Sequence, residues 1–272
     1  MKYLLRSPLS RVGLVILLLV ILVAIFAPVL APHDPLQVDL PNRLKPPSRE
    51  HLLGTDEMGR DILSRIIYGA RISLSISLRV IIVTFPFGAL VGAIAGFYGG
   101  WLDETLMRLT DVFLSIPGLI LALAISASLG PSLNNAMIAL AIIWWPWYAR
   151  VTRAVVLQVR EMEYVEAARA EGLPSLAILF KHVLPNSLAP AMVNASLDLG
   201  FVILNAAGLS FVGLGAQPPT PEWGAMLSTA REFLRDAWWA TTFPGLAILV
   251  TVLAFNLLGD GFRDMMDPKM RR

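Results

Sequence analysis

Residues 12–31 read VGLVILLLVILVAIFAPVLA and carry no charge. At about 1.5 Å of rise per helical residue, such a run crosses the ~30 Å hydrocarbon core of a bilayer. Lys2, Arg6 and Arg11 precede it and Val29-Leu30-Ala31 imitates a leader cleavage site, but a secretory apolar core is about 7–15 residues long and this one is longer. A retained span is the favoured reading. Working outward, five further apolar stretches follow at residues 72–97, 104–127, 135–157, 186–209 and 239–259. The expectation is an all-α polytopic membrane protein of six transmembrane helices. Residues 1–71 would supply the first helix and an outer segment with an amphipathic helix, and residues 72–272 a five-helix core with a cytoplasmic loop at 158–185. Composition agrees: 56% of the 272 residues are hydrophobic and 15% charged, against about 25% charged in soluble domains.

Orientation follows from arginine and lysine placement. The amino end has Lys2, Arg6 and Arg11, the loop after the fourth span has Arg160, Arg169 and Lys181, and the tail has Arg263, Lys269, Arg271 and Arg272. Six spans put all three on one face, the cytoplasmic one, with both termini there. The outer segment 32–71 goes against the rule, with six arginines and lysines among acidic residues.

Several function classes lose support. The net charge is +2 and there are no cysteines, so neither nucleic-acid binding nor thiol chemistry is indicated. His33, His51 and His182 are far apart in sequence and form no recognisable metal motif. The spacing Gly54 to Gly59 imitates a phosphate-binding loop, but Arg60 and Asp61 replace the required Lys-Ser/Thr. A turn at Gly54, a cap at Thr55 or Asp56 and an amphipathic helix along the outer interface is the better local account. No nucleophile-and-base set lies in the spans, so an intramembrane enzyme is disfavoured.

The loop between the fourth and fifth spans is the most informative. Residues 161–174 read EMEYVEAARAEGLP, and 182–186 read HVLPN. The first part favours a short helix with acidic residues in its early turns. Gly172 suits the left-handed residue that closes a helix, and Pro174 the first turn of another. Small residues at Ala167, Ala168 and Gly172 would admit a partner's backbone; a solvated helical loop is the plainer account. The triplet Glu166-Ala167-Ala168, Gly172 and the pair Leu184-Pro185 resemble the EAA loop of binding-protein-dependent ABC importer permeases. Residues 51–61 (HLLGTDEMGRD), 68–75 (YGARISLS) and 209–224 (LSFVGLGAQPPTPEWG) are similar to the second, C-type permease of the dipeptide/oligopeptide/nickel branch. The resemblance implies that those six loop residues couple to an ATPase. It also implies a homologous second permease, two ATPase subunits carrying ATP and Mg, a solute-binding protein outside, and no cofactor on this chain. Peptides are the implied substrate, with nickel or another small solute as the alternative. A self-sufficient secondary transporter is a weaker rival, since no internal repeat is visible.

Polar groups within spans are candidate pathway residues: Arg79, Asn194, Asp198 and Asn205, with Asn256. Asp198 would pair with Arg79 or face a wet path. Each later span carries a proline (Pro86, Pro117, Pro146, Pro190, Pro244), read either as ordinary membrane-helix composition or as kinks about which helices rearrange. The Pro-rich loop 213–232 reads as a stiff connector, or as a lid or docking surface for the solute-binding protein.

Overall fold

The computed structural model describes residues 7–266, with side chains through Phe262. Lys2, Arg6, Lys269, Arg271 and Arg272, and the Arg263 side chain, lie outside the described residues. In chain order the helices are α1 (Pro8–Ile25), α2 (Ala27–Leu30), α3 (Ile62–Tyr98), α4 (Gly100–Ser115), α5 (Gly118–Leu129), α6 (Leu133–Val159), α7 (Glu163–Ala170), α8 (Ser175–Ile178), α9 (Leu184–Ser187), α10 (Ala189–Phe211), α11 (Trp223–Ala230) and α12 (Trp239–Met266). The described residues contain no strand, in agreement with the all-α expectation.

Four helices are long and apolar enough to cross a bilayer: α1, α3, α10 and α12. Their outer faces expose Leu18, Leu22, Ile82, Phe87, Phe201 and Leu249. Such apolar surface is far more than a water-soluble chain leaves open. The third expected span is not one kinked helix. It breaks into α4 and α5, bent by 88°. Pro117 has no N–H to continue α4, and Ile116 before it is extended at φ −97°, ψ 133°. The fourth, α6, has 27 residues, about 40 Å at helical rise, but Arg150 and Arg153 dilute its apolarity. The other prolines behave unequally. Pro86, Pro146 and Pro244 lie inside continuous helices, whereas Pro190 sits in the first turn of α10, where its missing N–H costs little.

The tightest packing joins α3 to α6. Gly88, Gly92 and Gly96 line one face of α3, and a Cβ added at Gly92 would lie 2.1 Å from the Ala149 carbonyl oxygen. Small residues four apart let two helix backbones touch. Two apolar clusters form the bundle around this contact. Ile76, Val80, Leu140, Tyr148, Val202 and Leu209 make one. Leu17, Ile62, Ile203, Trp223, Ile248 and Phe255 make the other. α1 lies at the edge, where Gly13 meets Ala254 and Leu257 of α12.

The outer segment departs from expectation. The cap of α3 is Asp61, whose carboxylate accepts from the Ser64 N–H at 2.8 Å. Thr55 and Asp56 are engaged elsewhere: Thr55 Oγ1 accepts from the Lys45 N–H, and Asp56 accepts from the Met58 and Arg60 N–H groups. No separate interfacial helix forms, because residues 62–71 run straight into the span within one 37-residue helix. Arg60 and Arg65 turn inward. Arg60 meets Asp56 at 2.7 Å and Glu57 at 2.6 Å, and Arg65 donates to the carbonyls of Pro35 and Pro219.

Candidate functional site

The loop between α6 and α10 is a helical hairpin. α7 closes at Gly172, whose φ of +81° is left-handed backbone that a side chain would strain. Pro174 precedes α8, and one π-helical turn, Leu179–Val183, leads into α9. π turns inside helices recur at functional sites. Pro185 falls in the first turn of α9.

The hairpin has two chemically distinct faces. Val165, Ala168, Ile178, Leu179 and Val183 are buried against Ala93 of α3 and Val156 of α6, with Leu184 packed at the margin. Two further contacts clamp it: Arg160 Nη1 donates to the Gly96 carbonyl at 2.7 Å, and the Arg169 guanidinium stands 5.9 Å over the Phe97 ring. The opposite face exposes Met162, Tyr164 and Leu176 beside Glu163, Glu166, Ala167, Glu171 and Gly172. Ala168 therefore does not offer itself to a partner's backbone. It is 6% exposed and packs on its own bundle, while Ala167 one step along faces out.

The polar residues of α10 divide differently from the sequence reading. Asn194, Asp198 and Asn205 recur at helical spacing, so they share a face of α10. Asp198 does not pair with Arg79, which is exposed on α3. It accepts instead from the Tyr148 hydroxyl of α6 at 2.6 Å. Asp198 and Asn205 line a cavity of about 270 Å³ with Trp144, Trp147, Leu114 and Gly118. Its wall is the break at Pro117. Asn205 turns its amide to the Phe201 carbonyl at 2.8 Å. Tyr148 carried no motif, and its partnership with Asp198 across two helices had no local signal.

The loop after α10 is not a free lid. Trp223 is 2% exposed and donates from Nε1 to the Ile66 carbonyl at 3.1 Å. Glu222 is 1% exposed and caps α11, accepting from the Gly224 and Ala225 N–H groups at 3.0 and 2.9 Å. Burial drives the Glu222 carboxyl above its ordinary value, against the pull of those two N–H donors and of Ser210. Gly224 fits because a Cβ there would lie 2.3 Å from the Ala207 carbonyl oxygen. One cluster of metal-ligand type occurs among the described residues: His33, His51 and Asp61, which the sequence reading left apart.

Comparison with known proteins accords with this geometry. Residues 88–272, more than half of the chain, match the family described as binding-protein-dependent transport system inner membrane component. Residues 1–47 match the N-terminal TM domain of oligopeptide transport permease C. The chain is 49% identical over 270 residues to the dipeptide transport system permease protein DppC of Alkalihalophilus pseudofirmus, covering 99% of this chain and 89% of that protein. It is 49% identical to the probable D,D-dipeptide transport system permease protein DdpC of Escherichia coli (97% and 88% covered). It is 48% identical to the di/tripeptide transport system permease protein DppC of Pseudomonas aeruginosa (95% and 88%). Among solved structures, a chain of the MetNI methionine ABC transporter in inward-facing form superposes with a TM-score of 0.61 at 21% identity, covering 76% of this chain and 98% of that one. A chain of an amino acid ABC transporter crystallised with histidines gives 0.57 at 16%, covering 75% and 95%. The chain belongs to the binding-protein-dependent transport system inner membrane components, the permease subunits of ABC importers.

Proposed function

We propose that this chain forms half of the translocation pathway of an ATP-driven importer of dipeptides and oligopeptides, with a homologous permease supplying the other half. The observation that carries this reading is the two-faced hairpin. Its exposed side offers Tyr164, Leu176, Glu166, Ala167 and Gly172 to another protein, and its buried side is packed on α3 and α6. A push on such a hairpin moves the helices it is packed against as one rigid body. The names of the three relatives, a dipeptide, a probable D,D-dipeptide and a di/tripeptide permease, support peptides as the cargo.

In this reading Glu166, Ala167, Gly172 and Pro185 meet an ATPase subunit, while Ala168 and Leu184 hold the hairpin in place. Two ATPases bind ATP and Mg, and hydrolysis is theirs; this chain performs no chemistry and holds no nucleotide. Their closure on ATP transmits through the Val165–Ala168 contact to α6 and α3, opening one gate as the other shuts. Asp198, Asn194 and Asn205 give the path its polar wall beside the Pro117 break, and a solute-binding protein delivers the peptide from outside. Six crossings of the plasma membrane result if α4 with α5 counts as one and α6 as another, with both termini and the hairpin cytoplasmic. Residues 1–71 attach to the five-helix core 72–272 through α3, which runs through both.

The test is uptake of labelled dipeptide in cells whose own copy is deleted, with ATPase activity measured on the purified assembly. Glu166→Lys and Gly172→Arg abolish uptake and free ATP hydrolysis from its dependence on substrate, while the chain still inserts. Ala167→Trp does the same by bulk, since Ala167 is exposed and its replacement leaves the interior untouched. Normal uptake with all three variants would remove the hairpin from the mechanism.

A further inference from the structure

Two of the three histidines converge at the start of α3. The His33 and His51 rings lie 4.8 Å apart between centroids. Their Nδ1 atoms stand 3.8 and 3.0 Å from one oxygen, Asp61 Oδ1. Donor atoms on one tetrahedral zinc, each about 2.0–2.1 Å from the ion, are about 3.4 Å from one another. The two observed separations bracket that spacing, and all three ligand atoms fall within 4.8 Å of one another.

Charge and orientation favour a cation here. Asp61 is 2% exposed, and its ion-pairing neighbours among the described residues are the two histidines. The nearby Arg60 and Arg65 are matched to Asp56 and Glu57 instead. A buried carboxylate needs either a cationic partner or a metal. His51 is 7% exposed, and the buried atoms His33 Nδ1 and His51 Nε2 lack hydrogen-bond partners. Coordination would satisfy the first and leave Nε2 to carry the ring proton. The surroundings fix the ligands as supporting residues do in metal sites. Asp61 Oδ2 accepts from both Ser64 N–H and Ser64 Oγ, at 2.8 and 2.7 Å. The His33 N–H donates to the same Ser64 Oγ at 3.0 Å. A pocket of about 570 Å³, lined by His33, Pro32, Tyr68 and Pro221, gives the site an entrance.

We propose that His33, His51 and Asp61 form a three-ligand site for a first-row divalent cation of tetrahedral preference, Zn²⁺ above all, with water as the fourth ligand. The ion would tie the outer segment to the capped end of α3, remote from the hairpin, and the site stands whether or not the coupling role does. The experiment takes the full chain in its assembled complex, in detergent, purified without a polyhistidine tag, stripped of metal and titrated with Co²⁺. A single Co²⁺ per chain with tetrahedral visible bands, displaced by Zn²⁺, is expected. His33→Gln abolishes the bands; this half-exposed side chain donates no hydrogen bond to lose, so folding is not at stake. His51→Gln does likewise. Ser64→Ala weakens binding about tenfold through the lost orientation. His182→Gln, at the remaining histidine, changes nothing. Absence of tetrahedral bands, or bands that survive His33→Gln, overturns the site.

Discussion

Glu222 shows how one side chain sets the character of a whole loop. Its carboxylate caps α11 from a site that is 1% exposed, next to Trp223, which reaches across to α3. Burial is the largest influence on the group and raises its pKa over the unfolded chain, where it is near 4.5. The folded state then binds a proton more readily than the unfolded one. Stability rises as pH falls through the raised folded value, and the gain is complete below the unfolded one. Thermal unfolding in detergent should therefore show the wild type gaining on Glu222→Gln as pH drops from neutral toward 4.5. A constant difference across that range would show that the carboxyl is not strained by burial. Glu222→Ala removes both acceptors and leaves two buried N–H groups orphaned, at a cost of about 1–3 kcal/mol at neutral pH. Ser210 joins the same neighbourhood by accepting from the Ala216 N–H at 3.1 Å, which folds the preceding turn back onto α10.

At the scale of elements, the α3–α6 contact lies between the Asp198 cavity and the hairpin. Gly88, Gly92 and Gly96 abut the Trp145, Ala149 and Arg153 backbone, and the hairpin packs on the same two helices just beyond. Gly92→Val would force the helices apart, since a Cβ alone stands 2.1 Å from the Ala149 oxygen. The expected cost is at least about 1–3 kcal/mol of overpacking, read as a lower melting temperature and a poorer yield of the assembled complex. Gly172→Ala makes the contrast. Nothing lies within 4 Å of its added Cβ, so its penalty comes from φ alone and the bundle stays intact. The apolar runs and the EAA hairpin were readable in the sequence, because each is a local pattern, whereas the glycine seam at residues 88, 92 and 96 emerged only from the packing. What was not legible depends on partners distant along the chain. Asp61 caps α3 because Thr55 and Asp56 are taken by residues 42–60, which no window of helix signals reports. The burial of Trp223 depends on Ile66, and the placement of Asp198 depends on Tyr148. The break at Pro117 was half visible: proline announced a bend, but not one of 88° that turns the charged half, with Asp103, Glu104, Arg108 and Asp111, away from the apolar half.

For the whole molecule, the decisive quantity is which end of α3 faces which compartment. Arg65 and Ser64 tie the segment around Pro35 to the beginning of this helix, and Arg169 over Phe97 ties the hairpin to its end. Arg65 and Phe97 lie 32 positions apart on this helix, roughly 48 Å along the axis, more than the thickness of a bilayer with its headgroups. The two regions therefore belong on opposite sides. In the proposed topology the arginines at the hairpin put it in the cytoplasm. Of the six basic residues of the outer segment, Arg60 and Arg65 are neutralised internally by Asp56 and Glu57, whereas Arg43, Lys45, Arg49 and Arg71 are exposed and still run against the rule. The chain has no cysteine, so a single introduced thiol is an unambiguous reporter. Leu36 and Ala167 are both exposed, one in each region. In spheroplasts, a membrane-impermeant maleimide should label Leu36→Cys at once and Ala167→Cys after the membrane is breached. Labelling of both before breach would place the hairpin outside, beyond the reach of any ATPase, and the importer mechanism would fail with it.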